Sequence, residues 1–157
     1  MAYVAEEDDQ QFVVMDGGEG KRYGSIFNLT FSPDGQHLSY MASHGTWDEH
    51  KPDFIVTDGE DSKYPLVPYV DAEATFAFFS FTPDSNHVIY FTLKWNAEEK
   101  TIKEHLVIDN KLSEPFDEVY HGPLITLDSQ SVAYAVRIGN EIWWKVDSID
   151  EILKGNE

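Results

Sequence analysis

The sequence predicts an all-β fold made of repeated antiparallel sheets, and three observations carry that prediction. One is a segment that occurs three times: residues 31–42 read FSPDGQHLSYMA, residues 81–92 read FTPDSNHVIYFT, and residues 125–136 read ITLDSQSVAYAV. Another is an apolar run closing on an aspartate, which stands four times and ends at Asp16, Asp58, Asp109 and Asp147. The last is composition. Aromatic residues make up 14% of the 157-residue chain, and aromatic side chains favour strands. Similarity at a fixed period marks a repeat architecture.

Taken in order, the chain enters part-way through a repeat. Residues 2–5 match a second strand, residues 12–17 a third, and residues 21–23 a weak fourth. The next copy opens with a short apolar strand at 27–31. The turn Ser32-Pro33-Asp34-Gly35 follows, in which Pro presets φ and Gly accepts positive φ. Leu38 and Tyr40, two residues apart, then share one sheet face, with Ser39 on the other. Residues 54–59 form the third strand, closed by the turn signal Asp58-Gly59, and residues 63–67 a fourth.

The following copy has a strand at 76–81, the turn Thr82-Pro83-Asp84-Ser85, the pair Val88 and Tyr90, a third strand at 105–110 and a fourth at 116–120. The last has Leu124 and Ile125, then Thr126-Leu127-Asp128-Ser129, Val132 and Tyr134, and residues 142–147, without a clear fourth strand. Because Gly and then Pro drop out of successive turns, the later hairpins are expected to be less well specified locally. Trp143 and Trp144 put one ring on each face, one expected in the core and one at an inter-chain contact. Residues 148–153 read as a short helix with Ser148 as N-cap.

Tyr40 and Tyr90 stand 50 residues apart, and Tyr90 and Tyr134 stand 44 apart. Four short strands in such a period describe a β-propeller blade. The chain divides into a partial blade at 1–26, blades at 27–75 and 76–123, an incomplete blade at 124–147 and a tail at 148–157, all within one domain. The pattern apolar–Ser-Pro-Asp-Gly–x–x–Leu–x–Tyr, followed by an apolar strand closing on Asp-Gly, resembles the TolB-like, WD-like β-propeller repeat. Residues 27–59 match it best, residues 76–110 well and the two ends in part. The motif residues are scaffold, so the resemblance transfers no catalytic or ligand residue. It implies rings of six or seven blades, whereas this chain supplies about three and a half. Three outcomes stay open: a dimer completing one closed ring, a fragment of a longer protein, or an open half-propeller.

Composition narrows the partners. Lys and Arg total 11 against 29 Asp and Glu, a formal charge of −18. Such a surface disfavours nucleic acid and anionic membranes. There are no cysteines, which excludes disulfides and thiolate metal sites. No run of about 18 apolar residues is present to span a membrane, and the start lacks the features of a signal peptide. The location expected is cytoplasmic if Met1 is the native start and periplasmic if the chain is a piece of an exported protein.

The resemblance also implies two rims. Loops between second and third strands share one rim with the connectors between blades, opposite the Ser-Pro-Asp-Gly turns. That rim gathers Trp47, His50, Trp95, Tyr69, Tyr120 and His121 as candidate ligand-binding residues, with Lys94 beside Trp95. His44, Asp48 and His50 lie in one loop, yet without a zinc spacing, so no metal or other cofactor is assigned. His37 and His87 recur at one structural position, which marks a repeat feature. No Gly-x-Ser-x-Gly elbow or Walker spacing is present. The function expected is a non-enzymatic binding or assembly module, a homo-oligomer that takes a protein or small-molecule ligand on the aromatic rim. Two alternatives stand beside it: a hydrolase or lyase with a carboxylate or His site there, and a piece of a larger propeller protein such as a peptidase lid.

Overall fold

Tight turns with positive φ set the hairpins. Asp16-Gly17, Asp58-Gly59 and Asp109-Asn110 each place two consecutive residues in the left-handed region, with φ of 50° and 85°, 50° and 84°, and 45° and 67°. That is the backbone twist a two-residue hairpin loop needs, and Asp, Asn and Gly bear it best. Asp8-Asp9 does the same at 52° and 59°. The computed structural model describes residues 1–45, 54–65, 79–98 and 100–155. The chain is mostly β, in antiparallel sheets, and forms two compact units, Met1–Ala77 and Phe78–Glu157.

In the first unit, β1 (Ala2–Glu7), β2 (Gln10–Met15) and β3 (Gly18–Tyr23) form a three-stranded sheet. A four-stranded sheet follows in sequence order: β4 (Ser25–Phe31), β5 (Leu38–Ser43), β6 (Phe54–Thr57) and β7 (Glu60–Asp61). Gln11 joins the two, its side-chain oxygen accepting the Ile26 amide at 2.8 Å. Gly24, between β3 and β4, is obligatory for packing. A Cβ there would stand 2.0 Å from the Gly45 carbonyl oxygen. The core includes Val13, Tyr23, Ile26, Leu38, Tyr40 and Val56.

In the second unit, β8 (Phe79–Phe81), β9 (Val88–Asn96), β10 (Thr101–Ile108) and β11 (Lys111–Leu112) form a four-stranded sheet in that order. A three-stranded sheet of β12 (Glu118–Ile125), β13 (Ser131–Ile138) and β14 (Glu141–Ser148) follows. The helix α1 (Ile149–Lys154) buries Ile149 and Ile152 in a core shared with Leu106, Phe116, Tyr134 and Val136. Ser148 is its N-cap by position, but its side chain makes no capping bond.

Strand registers align all four sheets. Tyr3 pairs Val14, Tyr40 pairs Val56, Tyr90 pairs Val107 and Tyr134 pairs Lys145. So β1, β5, β9 and β13 are equivalent. Among the described residues the first sheet has no counterpart of β4, and the last has none of β7.

The four aspartates fall at one register position. Asp58 accepts the Leu38 amide at 2.9 Å and meets His37 Nδ1 at 2.7 Å. Asp109 accepts the Val88 amide at 2.9 Å and meets His87 Nδ1. Asp16 accepts the Met1 ammonium at 2.8 Å, and Asp147 accepts the Tyr134 hydroxyl. His37 and His87 are thus clamps between a turn and a third strand, and the Asp58 hydrogen bond raises the His37 pKa.

Three expectations change. The fourth strands of the two four-stranded sheets are the two-residue β7 and β11, which start directly after their turns, whereas the first sheet has the six-residue β3 in that place. Residues 63–65 lie outside β7 and residues 66–67 outside the described residues. Residues 118–120 belong to β12, where Val119 pairs Val136, and Phe116 keeps only a bridge to Glu104. Ser39 lies on the face opposite Leu38 and Tyr40, and Ile89 on the face opposite Val88 and Tyr90, as expected from alternation, and both are buried as well. Neither Trp143 nor Trp144 is core. They are 52% and 55% exposed, because β14 is an edge strand.

Candidate functional site

The rim residues expected from the sequence divide sharply. Trp47, His50 and Tyr69 lie outside the described residues, as does Asp48. Trp95 is in β9 opposite Ile102, and His121 is in β12 opposite Ala135. Tyr120, also in β12, is half exposed and its hydroxyl donates to Glu118 at 3.1 Å. His44 lies against Phe54, with ring centroids 5.0 Å apart, and against Tyr23 at 6.2 Å. Lys94 in β9, next to Trp95, lines a cavity.

The β9–β10 hairpin builds that cavity by strand alternation. Its register pairs Thr92 with His105, Lys94 with Lys103 and Asn96 with Thr101. Residues two apart share a face, so one face of the hairpin carries these six polar side chains. Beside it lies a cavity of about 340 Å³, lined by Lys94, Asn96, Glu98, Lys103, His105 and Pro115 among others. At the end of the hairpin the Glu98 amide donates to Asn96 Oδ1 at 3.0 Å.

The side chains differ in how they are held. His105 is 8% exposed, and its Nδ1–H donates to the Ser113 carbonyl at 2.8 Å. A carbonyl only accepts, so the proton is fixed on Nδ1 and Nε2 is the atom left for other contacts. Lys103 donates to Asp117 at 2.7 Å. Asp117 also accepts the Gly139 amide at 2.5 Å and lies 3.6 Å from Arg137. The Lys103 bond, then the Gly139 bond, holds the Asp117 carboxyl below its ordinary range. On the opposite face, Glu104 accepts the Val119 amide at 3.0 Å, and burial pushes its pKa up. Lys94 is exposed and makes no ion pair or hydrogen bond among the described residues.

Sequence reading named Lys94 but not Lys103, His105 or Pro115. The pairing of Lys94 with Lys103 depends on the length of the hairpin loop, which no local motif announces. His105 was legible only as the first residue of a third strand. Among the described residues no group of three or more His, Cys, Asp and Glu is placed to hold a metal ion. No family model and no curated protein matches this chain.

Proposed function

We propose that the chain is a non-enzymatic binding or assembly module, built on propeller-type blades and working as a homo-oligomer, with the β9–β10 end and the rim around it as its ligand face. The observation that supports assembly is β14. It is an eight-residue strand at the edge of a three-stranded sheet, and it exposes Ile142, Trp143 and Val146 at 69%, 52% and 61%. An open edge of that length carries a row of backbone donors and acceptors beside apolar rings, which is a template for another strand. β1, the matching edge of the first sheet, exposes Tyr3 and Val4. Completion of both edges by a second chain would bury these groups and close the blade count.

The test is mass in solution. Sedimentation of the full chain is expected to give a dimer. Trp143→Lys is expected to weaken it by about tenfold or more, the cost of about 1.4 kcal/mol that a buried interface ring readily exceeds. A chain that stays monomeric at every concentration overturns the assembly reading.

A further inference from the structure

We infer that the cavity beside the β9–β10 hairpin is a binding site for a small oxyanion, a phosphate or carboxylate group. The first support is the rung Lys94–Lys103. Like charges directly opposite on antiparallel strands destabilise the pair. In a chain with 29 acidic and 11 basic residues, neutral or acidic partners for a lysine are plentiful, yet this rung sets one lysine directly opposite another. Asp117 offsets Lys103 alone, and Arg137 shares that carboxylate. An anion seated between the two lysines removes the repulsion and accepts a charge-assisted hydrogen bond from each.

The second support is His105. Its ring is almost wholly buried, Nδ1 is committed to Ser113, and the ring lines the same cavity. Among the described residues no buried side-chain N or O lacks a partner, so Nε2 is in reach of solvent and of a ligand in the cavity that the ring lines. The third support is size. About 340 Å³ lies at the small end of ligand cavities and is ample for one phosphate or carboxylate group. Glu98, a lining carboxylate, is exposed and opposes the anion.

The experiment titrates the full chain with inorganic phosphate and, separately, with succinate, at low ionic strength, following backbone amide shifts by NMR. Saturable shifts confined to residues 92–105 and 113–117 are expected. Phosphate alone saturating assigns a phosphate group, succinate alone a carboxylate, and both the shared oxyanion chemistry. Lys94→Gln, on an exposed position, is expected to retain the melting temperature and weaken binding about tenfold, the loss of one charge-assisted contact. Glu98→Gln is expected to tighten it. Titration of Trp143→Lys should give the same affinity, since this site does not rest on assembly. Absence of saturation with both anions overturns the inference, as do unchanged binding by Lys94→Gln and shifts that spread over the surface.

Discussion

In the first turn Pro33 presets φ and Gly35 takes φ of +72° with nothing within 4 Å of where a Cβ would be. In the third turn Leu127 and Ser129 stand at those places, and Ser129 takes φ of +57° all the same. The bonds within the two turns are nearly identical. Ser32 donates to Asp34 at 2.6 Å and accepts the His37 amide at 2.9 Å. Thr126 donates to Asp128 at 2.6 Å and accepts the Ser131 amide at 3.0 Å. Asp34 and Asp128 accept the Gln36 and Gln130 amides at 3.0 and 3.1 Å. The turn is therefore held by a hydroxyl and a carboxylate two residues apart, and Pro and Gly only lower its conformational cost.

The strongest way to break this equivalence is the middle turn. Thr82 is fully buried, donates to Asp84 at 2.5 Å and accepts the His87 amide at 3.1 Å. Thr82→Val keeps the shape and orphans both partners, at a cost of about 2 kcal/mol, whereas the exposed Thr126→Val costs about 1 kcal/mol because water replaces the hydroxyl. Urea unfolding midpoints measure both. Equal losses would show that burial does not weight the turns.

Acid gives the next largest effect. The Thr82 hydrogen bond, then those from Asn86, holds the Asp84 pKa at about 2, and the Thr126 and Gln130 bonds lower that of Asp128. A depressed carboxyl contributes stability that is complete above its ordinary pKa near 4 and is lost as pH falls through the folded value. Stability is thus expected to fall between about pH 4 and 2. In Thr82→Val this acid dependence should shrink, as an NMR titration of Asp84 would show by a midpoint moved upward. The smallest effect sharpens the comparison from the other side. Leu127 is 92% exposed, and Leu127→Pro restores what the first two turns have, so it should stabilise by roughly 0.5 kcal/mol through the unfolded chain. A loss of stability in thermal melts would mean that the third turn has a different backbone at that position.

Much of the fold was legible because these bonds are local. The spacing of Ser or Thr, Asp and Tyr fixes the turn and the face that follows. The recurrence of Asp16, Asp58, Asp109 and Asp147 fixes the register of third strand on second. What was not legible depends on partners distant in sequence. Val119 pairs with Val136 instead of extending the preceding sheet, and Trp143 and Trp144, one on each face, are both about half exposed on the edge strand β14. For the site, the expected rim residue Trp95 and its neighbour Lys94 lie in the β9–β10 hairpin. The chemistry of the cavity came instead from Lys103 and His105, whose roles are set by cross-strand pairing and burial, neither of which has a spacing signature.

The Asp84 amide donates to Ser129 Oγ at 3.0 Å, so the second turn is tied to the third. The hydrophobic cluster beneath runs from Ile89 and Leu106 through Val132 and Tyr134 to Ile149. Neither sheet of the second unit can open its core without exposing that of the other. Residues 79–155 should then exchange their protected amides as one block, at a common free energy, and a protease acting on the open state should cut at either sheet with the same kinetics.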